Sequence, residues 1–218
     1  ETISAKAEGH HRHKKQTGGA GQFGEVYIRV EPLVRGSGFE FVDDVVGGSV
    51  PTQYIPSVEK GIRGVLDTGA VAGYPMEDVR VSLYDGKDHP VDSKDIAFQI
   101  AGREAFKKAV HDARPILLEP IVNIEITVPS TAVGDVMGNL NSRRGRIAES
   151  MTAPGNQQVI KATVPLAEVL TYSSELRSMT GGEGSYTIEF SHYDVVPAKT
   201  QQELMAKFQA TKKAEAED

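Results

Sequence analysis

The sequence of 218 residues contains no cysteine and no tryptophan, and aromatic residues make up only 6% of it. Without cysteine, the chain forms neither disulfides nor thiolate metal sites, which fits a reducing compartment. No apolar run is long enough to cross a bilayer, and the first residues lack a signal-peptide pattern. The Gly-x-x-x-x-Gly-Lys-Ser/Thr motif is absent as well. These absences predict a soluble, cytoplasmic chain with no P-loop nucleotide site in this sequence.

The formal net charge of −6 argues against a general nucleic-acid binder. Two basic clusters contrast with this total. The first is the run His10–Lys15, which contains no acidic residue. The second comprises Arg143, Arg144 and Arg146. The distribution of charge therefore leaves room for two local anion-binding surfaces on an acidic protein.

Gly19, Gly21 and Gly24 match the Gly-x-Gly-x-x-Gly pattern of dinucleotide sites. That fingerprint requires a helix after the glycines, so that phosphate meets the free N–H groups of the first turn. Here the next segment, Glu25–Glu31, alternates apolar and polar residues as a half-buried strand does. The order argues against a dinucleotide site and favours two other interpretations: a hairpin loop, or a flexible basic loop that lies along a nucleic-acid backbone.

Periodicity in the first half predicts strands and two helices around this loop. The strands are predicted at residues 2–7, 25–31, 39–45 and 78–83. The first helix is predicted from Ile55 to Leu66 with Gly69 after it, and the second contains Phe98 to Val110. Asp92 or Ser93 is predicted as the N-cap of the second helix. The basic run before the glycines is predicted as part of the loop.

The second half predicts a βαββαβ order, which is typical of a ferredoxin-like domain. Its strands are predicted at residues 120–128, 146–150, 159–164 and 186–193, and its helices at 130–140 and 166–177. A C-terminal helix is predicted at 201–214. The fold class is therefore α+β with two domains.

A series of motifs carries a family resemblance over nearly the whole chain and in order. They are HHRHKKQTGGAGQFGEVYIRVEP, FEFVDDVVGGSVPTQYIPSVEKGI, AGYPMEDVRVSLYDGKDHPVDSKDIAF, LLEPI, GDVMGNLNSRRGRI and YSSELRSMTGGEGSYTIEF. Together they resemble the last two domains, IV and V, of bacterial translation elongation factor G. The resemblance implies a ribosomal protein S5 domain 2-like domain at 1–117, a ferredoxin-like domain at 118–197, and a C-terminal helix with a charged tail at 198–218.

Three local features refine the resemblance. The opening Glu-Thr-Ile is similar to the end of the family's third domain, so the chain is expected to be part of a longer protein. Ala20 stands where many members have a basic residue, and Pro90 follows His89 where an acid is common. Both departures resemble the divergent second paralogue subgroup of the family.

The resemblance implies a function in translation. In the family, domain IV is a finger that enters the decoding region of the small ribosomal subunit while tRNA and mRNA advance by one codon. The implied ribosome-binding residues form two loops at its end: Lys14, Lys15, Gln16, Gly18, Gly19, Gly21 and Gln22 in one, and Lys87, Asp88, His89 and Pro90 in the other. Glycine allows close approach to a sugar-phosphate backbone, and lysine attracts it regardless of sequence.

Several of these residues keep a second interpretation. His89 could be an ordinary loop residue held by Asp92. The basic residues Arg143, Arg144 and Arg146 at a helix C-terminus are explained in part by the helix dipole. The family resemblance instead implies contact of this domain with large-subunit ribosomal RNA. Both interpretations stay open for the arginines.

No catalytic or metal-binding residue is predicted in this chain. His10, His11 and His13 lack further ligands in a metal-binding arrangement. By the resemblance, GTP and magnesium belong to N-terminal domains absent from this sequence, and the intact parent is a GTPase. The expected partners are the ribosome and the tRNA–mRNA complex, with no membrane, and the chain is expected to be a monomer. The alternatives are a free-standing RNA-binding protein and a paralogue that acts in ribosome recycling.

Overall fold

The computed structural model describes residues 1–16, 19 and 21–217, and for residues 216 and 217 the backbone only. The chain divides into two compact units. One comprises Glu1–Leu117 together with Pro197–Asp218, and the other comprises Leu118–Val196. Among the described residues, no helix combines the length and the apolar character needed to cross a bilayer.

The first unit is built around a four-stranded sheet. Its elements, in chain order, are β1 (Thr2–Ile3), β2 (Ala7–Lys15), β3 (Gln22–Pro32), β4 (Phe39–Asp43), α1 (Ile55–Thr68), β5 (Val79–Lys87), α2 (Asp95–Asp112) and β6 (Pro115–Ile116). The strand order is β2-β3-β5-β4, with β4 parallel to β5 and the other pairs antiparallel. β1 and β6 form a separate antiparallel pair.

The core of this unit lies where α1 and α2 pack together and α2 packs against β2 and β3. Apolar residues at helical spacing in α1 and alternating residues in β3 and β5 supply it. Fully buried side chains include Val26, Ile28, Val30, Val58, Ile62, Val81, Leu83, Phe98 and Phe106. The predicted glycine end of α1 is confirmed, since Gly69 has a φ of 80° and its N–H donates to the Val65 carbonyl.

The basic run His10–Lys15 is a strand, and its prediction as a loop was wrong. It forms most of β2, which pairs residue by residue with β3 from Ala7 opposite Val30 to Lys15 opposite Gln22. The run lacks apolar alternation, since only Gly9 in β2 is buried. Pairing with β3 therefore decides the conformation, although local pattern does not indicate it.

The start of α2 also differs from the prediction. The helix begins at Asp95 with Lys94 as N-cap, and no side chain caps it. The hydroxyl of Ser93 is directed to β3 instead, where it donates to the Phe23 carbonyl at 3.0 Å. A tertiary contact thus replaces the predicted local cap.

The second unit has the predicted βαββαβ order. Its elements are β7 (Leu118–Pro129), α3 (Val133–Ser142), β8 (Arg146–Ala153), β9 (Gln157–Pro165), α4 (Tyr172–Thr180) and β10 (Ser185–Val195). The sheet order is β10-β7-β9-β8, antiparallel throughout. Its core is formed by Val122, Ile124, Ile126, Val128, Val136, Leu140, Ile160, Val164, Tyr172 and Leu176. The α+β fold class with a ferredoxin-like second domain is confirmed.

Short 3₁₀ turns precede both helices of this unit, at Ser130–Ala132 and Leu166–Glu168. The predicted helix starts at residues 130 and 166 are therefore too early. Ser130 is not a helix cap, because its hydroxyl donates to the Asn156 carbonyl.

The final helix, α5 (Ala198–Glu217), belongs to the first unit. Gln201 fixes its start, because its Oε1 accepts the Leu117 N–H and its Nε2 donates to the Pro115 carbonyl, each at 3.1 Å. Further along, the Phe208 ring packs on Gly73, where a Cβ would lie 2.9 Å from the ring.

Candidate nucleic-acid interface

Three strand ends bring the predicted basic residues together in the first unit. β2 ends with Lys15 opposite Gln22, the first residue of β3. β3 also pairs with β5, and this places Lys87 at the end of β5 opposite Glu25. The C-terminal ends of β2 and β5 therefore lie at the same edge of the sheet as the N-terminal end of β3.

A depression of about 140 Å³ lies at this edge. We call it the basic depression. It is lined by Arg12, Lys14, Lys15, Gln16, Gln22, Phe23, Lys87, Asp88, His89 and Asp92. Residues of both implied loops thus line one depression at one edge of the sheet.

The remaining predicted residues of these segments are placed as follows. Gly19 and Pro90 are exposed, whereas Gly21 is buried. Gly18 lies outside the described residues. Contact of any of these residues with RNA stays a prediction.

Hydrogen bonds join the segment that carries His89, residues 87–93, to β3. The Phe23 N–H donates to the Asp92 carbonyl at 2.9 Å, and the Ser93 hydroxyl donates to the Phe23 carbonyl at 3.0 Å. The Ser93 hydroxyl also accepts the His89 N–H at 2.8 Å. The segment that carries His89 is therefore fixed to the strand that begins after the glycines.

The His89 ring is oriented by its own turn. Its Nδ1 accepts the N–H groups of Val91 and Asp92, at 3.3 and 3.1 Å. A neutral imidazole that accepts at Nδ1 carries its proton on Nε2. The side chain is 48% exposed and its centroid lies 6.1 Å from that of Phe23. His89 therefore offers an Nε2–H donor while its other nitrogen is occupied by the backbone.

Glu25, next to the depression, is paired, whereas the carboxylates of Asp88 and Asp92 are part of its lining. Glu25 accepts a hydrogen bond from His10 at 2.7 Å and lies 3.8 Å from Arg12, and the Asp92 carboxylate is 3.6 Å from His89 Nδ1. Three cations at the edge make no ion pair with any described residue: Lys14, Lys15 and Lys87. The lining of the depression thus carries four cationic side chains and two carboxylates, an excess of positive charge on a chain that is acidic as a whole.

The three histidines of β2 have separate roles. His10 stacks on Tyr27 with ring centroids 4.2 Å apart, and His13 Nε2 lies 2.9 Å from Gln22 Oε1. Burial, and then the neighbouring Lys108 cation, lower the pKa of His11 from its ordinary value. Within the described ranges, no group of three His, Cys, Asp or Glu side chains is placed to hold a metal ion.

Gly24 of the glycine motif serves packing. β3 begins directly after Gly21, and no helix follows the glycines. A Cβ at Gly24 would lie 3.0 Å from the Ala97 backbone, so glycine at this position lets α2 approach the sheet. The prediction that a strand follows the motif is confirmed.

Sequence reasoning missed two groups at the depression. Arg12 lies 5.2 Å over the Phe23 ring and lines the depression with it. Ser93 was predicted as a helix cap and instead joins two segments. The strand register would have indicated Arg12, which lies two residues before Lys14 and so on the same face of β2.

The three arginines of the second unit, Arg143, Arg144 and Arg146, differ in their contacts. Arg143 is 16% exposed and donates to Asn139, to the Glu168 carbonyl and to Glu175, while its guanidinium lies 5.5 Å over the Tyr172 ring. These contacts give it an internal, structural role.

Arg144 donates to the carboxylates of Glu119 and Glu168, and these hydrogen bonds raise its pKa. Arg146, at the start of β8, is exposed and forms no ion pair with a described residue. Of the three arginines, Arg146 is the one whose charge is available to a partner.

Comparison with known proteins agrees with this architecture. The family model "Elongation factor G, domain IV" matches residues 1–114, and "Elongation factor G C-terminus" matches residues 116–204. The chain is 52% identical over 212 residues to elongation factor G of Aquifex pyrophilus, covering 97% of this chain and 30% of that protein. It is 51% identical over 205 residues to an elongation factor G-like protein of Thermotoga maritima, covering 94% of this chain and 30% of that protein.

A crystal structure of a protein from Thermus thermophilus has the same fold. It superimposes with a TM-score of 0.81 at 44% identity, over 96% of this chain and 31% of that chain. The chain thus spans about 30% of the length of the relatives it matches. Since the two family models together match most of its residues, the chain belongs to the elongation factor G family of translation factors and carries domain IV and the C-terminal domain of that family.

Proposed function

We propose that this chain is the ribosome-contacting C-terminal part of a translational GTPase that promotes tRNA–mRNA translocation. The basic depression of the first unit enters the A site of the small subunit and contacts RNA there. The observation that carries this proposal is the convergence of Lys14, Lys15, Lys87 and His89 at one edge of the sheet of a domain IV.

The chemistry of the depression suits a sugar-phosphate backbone. Lysine cations attract phosphates without regard to base identity, and the Nε2–H of His89 is a hydrogen-bond donor for a phosphate or ribose oxygen. A surface that must follow every codon gains from contacts that carry no sequence information. The same argument applies to Arg146 in the second unit, which we propose as a contact to large-subunit ribosomal RNA.

The hydrolysis of GTP belongs, in this proposal, to domains of a longer, cytoplasmic, monomeric parent. GTP and magnesium bind there, because this sequence has no P-loop and its glycine motif leads into β3. Calorimetry of the 218-residue chain with GTP, GDP and NAD is expected to give no binding heat. Micromolar binding of any of the three would contradict this assignment.

The direct test measures binding of the labelled chain to programmed 70S ribosomes over a range of KCl concentrations. Replacing Lys14 and Lys15 by alanine is expected to weaken binding and to lower the log–log salt slope by roughly 1.5, since each lost phosphate contact removes on the order of 0.7–0.9. The matched control replaces Lys60 and Lys213, which are exposed on α1 and α5 and change the net charge equally.

The control variant is expected to keep both the affinity and the slope. If the two double variants lose affinity equally, the depression is not the ribosome-binding surface. If the unmutated chain does not bind ribosomes at all, a ribosomal role for these two domains on their own is wrong.

A further inference from the structure

The hydroxyl of Ser93 both accepts and donates a hydrogen bond, each to a segment that lines the basic depression. It accepts the His89 N–H at 2.8 Å and donates to the Phe23 carbonyl at 3.0 Å. These two partners lie far apart in the sequence and belong to the two segments that line the depression. One oxygen atom therefore connects the backbone that carries His89 to the strand that begins after the glycines.

The main chain around Ser93 continues this connection. The Phe23 N–H donates to the Asp92 carbonyl at 2.9 Å, and Phe23 and Ser93 form a short parallel bridge. The Ser93 N–H closes the turn by donating to the His89 carbonyl at 3.2 Å. Hydrogen bonds from both segments thus converge on two adjacent residues, Asp92 and Ser93.

The connection is anchored in the core. The Tyr54 hydroxyl donates to the Ser93 carbonyl at 3.0 Å, and the Tyr54 ring stacks on Phe98 with centroids 4.6 Å apart. Phe98 is fully buried in α2. Ser93 is therefore held from the side of the helices while it holds the two segments at the sheet edge.

Helix capping does not account for this serine. The N-cap of α2 is Lys94, and no side chain accepts an N–H of its first turn. A serine just before a helix ordinarily caps it, because the hydroxyl satisfies one of the free N–H groups. Here the hydroxyl is directed away from the helix, and the first turn lacks that contact.

We propose that Ser93 is a positioning residue that sets the placement of His89 relative to β3 and so presents the basic depression preformed to RNA. The inference rests on the proposed function. Because two segments held in one arrangement lose less conformational freedom on binding, a preformed surface binds more tightly than two independent loops. Ser93 itself acts through His89 and Phe23.

The structural part of the proposal is tested without ribosomes. Amide hydrogen exchange of the 218-residue chain carrying Ser93→Ala is expected to accelerate by roughly tenfold at His89, whose N–H loses its acceptor, the effect of losing about one hydrogen bond. A smaller acceleration is expected at Phe23, whose N–H still donates to the Asp92 carbonyl while its own carbonyl loses the Ser93 hydroxyl. Exchange at Val26 and Leu83, in the core of the same sheet, is expected to stay unchanged. Ser93→Thr keeps the hydroxyl and is expected to restore slow exchange.

The functional part uses a double-mutant cycle on ribosome binding. Ser93→Ala is expected to weaken binding several-fold without changing the salt slope, because no phosphate contact is removed. In a His89→Ala background the same change is expected to have less effect, since the residue it positions is gone. The control is Ser57→Ala, which removes another serine hydroxyl bonded near the start of α2, to Asp95 at 2.8 Å.

The outcomes separate the two proposals. Normal exchange at His89 in Ser93→Ala overturns the positioning role, whatever the ribosome binding. Fast exchange with unchanged binding also overturns it, because the placement would then not matter to RNA. Failure of the unmutated chain to bind ribosomes counts against the proposed function, and the exchange result still decides whether Ser93 connects the segments.

Discussion

Gly21 lies directly against the carboxylate of Asp92, so that a Cβ at Gly21 would stand 2.7 Å from Asp92 Cγ and 2.8 Å from its Oδ1. Gly21→Ala must therefore displace this side chain. We expect a loss of about 1 kcal/mol in the free energy of unfolding, at the low end of the usual cost of overpacking, because the atoms in the way end a short side chain that can rotate. Urea denaturation measures it.

Shortening Asp92 distinguishes the contact from a general glycine effect. In the Gly21→Ala, Asp92→Ala double variant the carboxylate is gone, and we expect part of the lost stability to return. Contacting residues show such non-additivity, whereas independent sites add to within about 0.5 kcal/mol. Simple addition of the two single effects would show that the carboxylate does not limit the space at Gly21.

Alanine substitution is expected to reduce stability at Arg143 but not at Arg146. Arg143→Ala leaves Asn139 and the Glu168 carbonyl without their donor, and we expect the second unit to lose roughly 1–3 kcal/mol of stability. Arg146→Ala removes an exposed cation and should change stability by no more than about 0.5 kcal/mol. Denaturation of both variants, with ribosome binding on the same preparations, separates the two effects. Equal stability of both variants would contradict the internal role of Arg143.

The contacts of Arg143 also affect how the free energy of unfolding depends on pH in acid. The hydrogen bonds from Arg143 and then from Asn139 hold the pKa of Glu175 below its ordinary value. A lowered folded-state pKa stabilises the protein above the unfolded-state value of about 4.5, and this contribution is lost as the pH falls further. We expect the stability of Arg143→Ala to decline less steeply with acidification than that of the unmutated chain. Denaturation at a series of pH values from neutral to about 3 measures the slope, and an unchanged slope would contradict the pairing.

The sequence predicted the elements that have a regular apolar pattern. Apolar residues of α1, β3, β9 and β10 repeat at the spacing of their element, and those elements were confirmed. β2 was missed over His10–Lys15 because both of its faces are polar there, so alternation of burial leaves no apolar signal. Its conformation depends on hydrogen bonds to β3. A local sequence pattern does not show which strand will pair with it.

For the candidate site, the sequence likewise indicated individual residues but not the contacts between them. The family resemblance placed Lys14, Lys15 and His89 in two loops at one end of the domain, but it did not indicate the contacts between those loops. The contacts of Ser93 with Phe23 join residues 70 positions apart. Arg144 and Glu119 are likewise 25 positions apart. Such pairs are set by strand register and helix packing, and no spacing rule in the sequence identifies them.

His89→Ala in the intact parent is expected to slow tRNA–mRNA movement and to leave ribosome-stimulated GTP hydrolysis nearly unchanged. His89 offers its Nε2–H at the basic depression, so its loss affects the step performed there. The matched control is His111→Ala, an exposed histidine at the opposite end of α2. Rapid kinetics of both steps on one preparation provides the measurement.

Two results would change the interpretation. A parallel loss of hydrolysis and movement in His89→Ala would show that the roles of the domains are not separate. A parent that hydrolyses GTP on the ribosome but does not accelerate movement even when unmutated would favour the recycling paralogue.

Gly61 and Gly64, both on α1, are expected to respond with opposite signs to the same substitution. A Cβ at Gly61 would lie 2.1 Å from the Gln99 carbonyl oxygen of α2, whereas a Cβ at Gly64 would have no described atom within 4 Å apart from the nearby backbone of its own helix. Gly61→Ala must separate the two helices and should destabilise the first unit by about 1–3 kcal/mol. Gly64→Ala restricts only the unfolded chain and should stabilise the first unit by about 0.4–1 kcal/mol.

Amide exchange at Val58 and Ile62, both buried in α1, reports the stability of the first unit alone. Slower exchange in Gly64→Ala and faster exchange in Gly61→Ala are expected. Because α2 begins shortly after Ser93, a shift of α2 away from α1 should also accelerate exchange at His89 in the Gly61→Ala variant. If exchange at His89 stays normal while the α1 amides open, the basic depression is held by β3 and Ser93 independently of helix packing.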